Sequence, residues 1–90
     1  MFLGRVVGTV WATKKDEKLD GLKIQIVSPV DRELKVKTSF TIAVDSVGAG
    51  PGELVLCASG SSARMTPLTH DKPVDTVIMA IVDEVDFFEP

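Results

Sequence analysis

The sequence predicts an all-β protein: a five-stranded, partly open barrel of the OB type carrying one short helical turn. Three observations support this. Apolar residues recur at period 2 in short runs divided by turn signals, and no helical period is sustained. Gly4 and Gly8 interrupt the first run, as in a strand that bends or bulges while its sheet curls. The stretch Ile42 to Arg64 reads as strand, glycine corner, strand, glycine stop and one turn of helix. A small two-sheet sandwich is the alternative architecture.

The first strand is expected from Phe2 to Thr13. Phe2, Val6, Val10 and Ala12 share one face with the two glycines, and the opposite face (Leu3, Arg5, Val7, Thr9, Trp11) is mixed. Trp11, the only tryptophan, reads as a core or barrel-end plug, or else as a contact between subunits. Lys14 to Gly21 is a charged, solvated loop closing on Asp-Gly, a turn signal. Leu22, Ile24 and Ile26 then alternate with Lys23 and Gln25, which places the three aliphatics inward. Ser28-Pro29 ends that strand. Asp31-Arg32-Glu33 is a turn, after which Leu34 and Val36 alternate with Lys35 and Lys37. Phe40, Ile42 and Val44 are expected to line the inside of the next strand.

Gly48, Gly50 and Gly52, with Pro51 among them, mark a tight corner, because glycine tolerates positive φ and close backbone approach. Glu53 to Ser59 returns as a strand and Gly60 stops it. Ser61 and Ser62 are helix-capping types, and Ala63-Arg64 completes a turn. Met65 to Asp75 is a linker punctuated by Pro67 and Pro73. The last strand is expected from Thr76 to Val85, with Val77, Met79 and Ile81 on one face and Ile78, Ala80 and Val82 on the other. A strand apolar on both faces needs cover on both, and a neighbouring subunit supplies it in a small β domain.

Residues 1–90 are read as a single domain. A chain of this size buries roughly 60–65% of its unfolded surface, which leaves a modest core. The composition is 44% hydrophobic against 26% charged, a balance that favours hiding surface against copies of itself. The net charge of −3 gives no general attraction to phosphate backbones and argues against nucleic acid. The lone Cys57 fits a reducing cytosol as a buried small hydrophobe. No run approaches the ~20 apolar residues of a membrane span, and the start resembles neither a signal nor a transit peptide, so a cytoplasmic location without membrane partners is expected.

Catalytic parts are scarce. His70, the only histidine, sits beside Asp71 in a proline-flanked loop and reads as a solvated turn residue. A Cys57–His70 nucleophile pair lacks a charge to stabilise the thiolate. The glycine corner lacks the Lys-Ser/Thr of a phosphate loop and leads into a strand. Gly60-Ser61-Ser62-Ala63-Arg64 approximates a nucleophile elbow without its closing glycine; its N–H groups with Arg64 would make a weak anion site. Glu84 and Asp86 form too thin a ligand set for a metal. The expectation is no enzyme, no metal and no cofactor. An OB-type module binding nucleic acid or another ligand is the alternative, although Phe87 and Phe88 stand among carboxylates that repel phosphate.

The runs GRVVGTVWATKKDEKLDGLKIQIV, AVDSVGAGPGELVLCASGSSAR and PVDTVIMAIVDEVD, in that order, resemble the EutN/CcmL family. The resemblance implies an OB-like barrel assembled as a cyclic homopentamer. It implies a structural role at the five-fold vertices of polyhedral bacterial microcompartment shells, carboxysomes included. It also implies partnership with the hexameric and pseudohexameric shell proteins that tile the facets. The family motif falls on Asp45, Ser46, Gly48, Ala49, Gly50, Gly60, Ser61, Ser62, Ala63 and Arg64, which the resemblance marks for subunit or hexamer contact.

Overall fold

The computed structural model describes residues 1–90. Five strands, β1 (Phe2–Val10), β2 (Lys23–Pro29), β3 (Thr41–Asp45), β4 (Leu54–Ser59) and β5 (Thr76–Ile81), close a barrel in the order β1-β2-β3-β5-β4. Every pairing is antiparallel except β3 with β5. The expected barrel is therefore present, and it is fully closed instead of partly open.

Closure depends on two bulges. On β1, Val6 pairs with Val27 and Gly8 with Ile26, so Val7 is an extra residue that bulges outward. On β5, Cys57 pairs with Ile78 while Leu56 pairs with Ala80, so Met79 is extra there. Each bulge reverses the inside–outside alternation of its strand. Phe2 and Val6 face the barrel core as expected, but beyond the bulge Thr9 turns in beside Gln25 and Val10 turns out beside Ile24.

The parity of β2 and β3 is the reverse of the sequence expectation. Gln25 and Val27 of β2 and Ala43 and Asp45 of β3 face inward and are buried; Val44 is buried as expected, but in a cluster on the outside of the barrel. Ile24 and Ile26 lie on the outer face, half-buried, paired across strands with Val44 and Ile42. The reason is volume. A closed sheet of only five strands has a narrow lumen. Its inner cluster is built from Val6, Val27, Ala43, Ala49, Val55, Cys57 and Ile78, mostly small side chains. At Gly4 even a Cβ would lie 2.5 Å from Val27 Cγ1 and 2.8 Å from the Ser28 carbonyl oxygen, so glycine is required by close approach of β2.

A second cluster sits outside the barrel, where Val44, Ala58 and Val77 are covered by Ala63 and Val74. The remaining corrections are local. Strand β1 stops at Val10, and Trp11 is 88% exposed, so it plugs nothing within the protomer. The charged loop contains a second 3-10 turn, Glu17–Leu19, capped by the Asp16 carboxylate accepting from Lys18 N–H. The segment after the Asp31 turn is no strand: Asp31 accepts from Glu33 and Lys35 N–H, Leu34 takes a positive φ of 63°, and a single bridge joins Val30 to Val36. Strand β5 ends at Ile81 because the acidic run that follows pairs only through Val82 N–H to the Leu54 carbonyl. Arg32 holds that run at its far end, donating to the Phe88 carbonyl and lying 5.3 Å above the Phe87 ring.

Candidate functional site

The ten residues singled out in sequence form two structures, not one. Asp45 to Gly50 begins the corner between β3 and β4. Gly60–Arg64 is a 3-10 turn after β4. Ala49 belongs to the inner cluster and Ala63 to the outer one.

The corner is organised from below by a buried polar set. Asp45 Oδ1 accepts from Val47 N–H at 2.9 Å and from Gly48 N–H at 3.0 Å. Its Oδ2 accepts from Gln25 Nε2 at 3.4 Å, and the same amide donates to the Ala49 carbonyl at 2.9 Å. Thr9 Oγ1 completes the chain by donating to Gln25 Oε1 at 2.7 Å. Gln25 is 1% exposed and every polar atom of its side chain has a partner. Gly48 has φ of 77°, the left-handed region, which favours glycine at this step of the turn. Ser46 Oγ donates at 2.6 Å to the carbonyl of Ile78, next to the bulge at Met79. Gly50 N–H donates to Glu53 Oε1. Arg5 fixes the corner from outside, donating to the carbonyls of Gly52 and Leu34.

The Gly60–Arg64 turn has no side-chain N-cap; Ser62 Oγ donates back to the Ser59 carbonyl at 2.7 Å. Ala63 is fully buried and Arg64 donates to the Val74 carbonyl at 3.0 Å, tying the turn to the linker. Thr69 Oγ1 donates to the Ala63 carbonyl from the other side. Ser61 is exposed. The two features are thus rigid surface knobs, one held by Asp45 and one by Arg64 and Thr69.

Gln25, Arg5 and Glu53 escaped the sequence reading as corner residues. Glu53 alone left a local sign, three positions after the Gly50 N–H that it accepts. Gln25 and Arg5 act over long sequence separations, which no local pattern reports.

Cys57 is buried, and burial first and the Asp45 carboxylate second push its thiol up to about 11. His70 is exposed and contacts Asp71. The strand 2–3 face that OB-type barrels use for oligonucleotides holds a shallow cleft of about 190 Å³. That is below the ~300 Å³ of ordinary small-molecule sites. Leu19, Ile24, Ile42, Pro73 and Val74 line it, with no aromatic ring for a base to stack on.

Two outcomes are expected. Asp45→Ala leaves Val47 and Gly48 N–H and the Gln25 amide without their acceptor, and should cost about 3 kcal/mol of stability in urea titration. Cys57 should resist thiol reagents in the native protein near pH 8 and react on unfolding. Because the unfolded thiol ionises near 9.0 and the folded one near 11, this group's contribution holds below pH 9 and is lost as pH rises towards 11.

Comparison with known proteins places this geometry. The family model described as "Ethanolamine utilisation protein EutN/carboxysome" matches residues 1–83. The microcompartment shell vertex protein GrpN of Rhodospirillum rubrum is 41% identical over 86 residues, covering 96% of this chain and 97% of GrpN. The vertex protein PduN of Salmonella typhimurium is 42% identical, covering 92% and 96%. The solved pentameric GrpN superposes with a TM-score of 0.88 over 98% of this chain and all of the other. Gloeobacter violaceus CcmL, 36% identical, superposes with a TM-score of 0.91 over 97% of this chain and 90% of its own. A closed barrel with this strand order, a glycine corner seated on a buried aspartate and a match along nearly the whole length lead to one conclusion: the chain belongs to the EutN/CcmL family.

Proposed function

We propose that the protein is a structural shell component, a homopentamer that caps the five-fold vertices of a polyhedral bacterial microcompartment. The carrying observation is the superposition on pentameric GrpN across the full length of both chains. Physical reasoning supports it independently. The barrel turns Ile42 and Phe40 outward at 44% and 65% exposure, a surface that a free protomer leaves in water. A cyclic ring repeats one heterologous contact and stops when rotation closes. Five-fold units supply the curvature that a flat hexagonal sheet lacks. The whole of residues 1–90 acts as one shell-forming domain within the cytoplasm, without catalysis.

The Asp45–Gly50 corner and the Gly60–Arg64 turn serve as contacts to subunits or to hexameric shell proteins. Their rigidity supports this, since a knob already held by Asp45 or by Arg64 loses little entropy on docking. The test is co-production with hexameric shell proteins and imaging of the particles. Wild type should give closed polyhedra, and its omission should give open or extended assemblies. Arg64→Ala is expected to retain the ring and lower the yield of closed particles. Ring mass and closure both equal to wild type would remove Arg64 from the contact set.

A further inference from the structure

Two aspartates of the chain precede a small residue, Asp20 before Gly21 and Asp45 before Ser46. A small follower lets the next main-chain nitrogen reach the aspartate carboxyl and close a five-membered succinimide ring. The fold places these two sites in opposite circumstances. Asp45 is 6% exposed, and its carboxylate accepts from Val47 and Gly48 N–H and from Gln25 Nε2. Ring closure there must break those bonds, and pairing with Lys23 holds the Asp45 backbone in the sheet.

Asp20 stands at the end of the Glu17–Leu19 turn with its side chain 68% exposed. Its φ and ψ of −60° and 136°, with Gly21 at φ of 78°, make a type II turn. Leu22 N–H closes that turn on the Leu19 carbonyl at 3.2 Å. The Gly21 N–H belongs to the central peptide and donates to no protein acceptor. A Cβ built on Gly21 would meet nothing within 4 Å, so the central peptide has room to rotate. Lys15 Nζ, 3.7 Å from Asp20 Oδ1, is a solvent-exposed contact that restrains the carboxylate weakly.

We infer that Asp20–Gly21 is a site of spontaneous isoaspartate formation, and that the change opens the turn carrying Leu19 and Leu22. The Gly21 nitrogen attacks Cγ of the protonated Asp20 carboxyl; a C–N bond forms, a C–O bond breaks and one water leaves. Water then adds to either ring carbonyl. Addition at the side-chain carbonyl restores aspartate. Addition at the former main-chain carbonyl breaks its bond to nitrogen, routes the chain through Cβ and leaves the α-carboxylate as the side group. The product is an isomer, with no atom gained or lost. Its chain is one carbon longer between Leu19 and Leu22. Leu22 packs on the outer cluster of Val44 and Val77, and Leu19 lines the cleft beside Val74, so both lose their fixed spacing.

Peptide mapping of the full chain after prolonged warm incubation, native and in urea, tests this. An endoprotease that cuts before aspartate skips isoaspartate, and electron-transfer fragmentation locates the altered linkage. Native protein should accumulate isoaspartate at Asp20 at a rate within about tenfold of the unfolded chain's. Asp45 should convert at least about tenfold more slowly in the native protein than in urea, because its hydrogen bonds must break first. Asp20→Glu, whose ring would have six members and closes far more slowly, should remove the product. The isomerised fraction, separated by ion exchange, should exchange the Leu22 amide hydrogen faster than its parent. Native protein that keeps Asp20 intact while the unfolded chain converts it overturns the assignment. So does native conversion of Asp45 at the pace of Asp20. Unchanged exchange at Leu22 in the isomerised fraction overturns the opening of the turn.

Discussion

The narrow lumen of a closed five-stranded barrel is the constraint from which the rest follows. The fully enclosed inward positions hold mostly valine, alanine and cysteine; Ile78 is the one isoleucine fully buried inside, and Phe2 and Ile81 pack against the cluster half-buried. The larger aliphatics of β2 and β3 are consequently displaced to the exterior. A protein built this way has an interior too small to hold its apolar content. Burying Ile26, Ile42 and Phe40 against another copy recovers hydrophobic free energy of the order of 25 cal/mol per Å² removed from water.

The same constraint explains the polar content of the lumen. Gln25 and Asp45 occupy inward positions that large aliphatics would overfill, and each is fully hydrogen-bonded there. Their bonds hold the Val47–Ala49 backbone, so the surface corner inherits its shape from inside the barrel. A satisfied buried network of this kind rigidifies what it touches. Cys57 shares this interior as filling, its thiol kept neutral by burial and by Asp45.

Much of this was legible in the sequence, and what was not has physical causes. The glycine corner was legible because its glycines and proline act locally. The existence of five strands was legible from alternation. Which face of β2 and β3 points inward was not: alternation shows that two faces differ, and the usual rule for a monomer puts the more apolar one in the core. Here that face looks outward, because Ile24 and Ile26 outsize the lumen that Gln25 and Val27 fit. Bulges at Val7 and Met79 were invisible as such, since one extra residue changes pairing without changing composition, although Gly8 beside the first was a hint. Leu34 at positive φ had no sign in its own residue type; it closes the turn that the Asp31 carboxylate organises, and Arg5, distant in sequence, donates to its carbonyl. Of the ten motif residues, Asp45 and Arg64 proved to hold their own segments by hydrogen bonds, a role their resemblance to a family motif did not specify.

Sedimentation equilibrium of the wild-type protein over a wide concentration range measures the central claim most directly. If the displaced aliphatic face is covered by identical copies arranged about a five-fold axis, the mass is five times the 9.7 kDa protomer and holds on dilution. A single protomer mass at every concentration would show that this barrel tolerates its exposed isoleucines unaided, and would contradict the account.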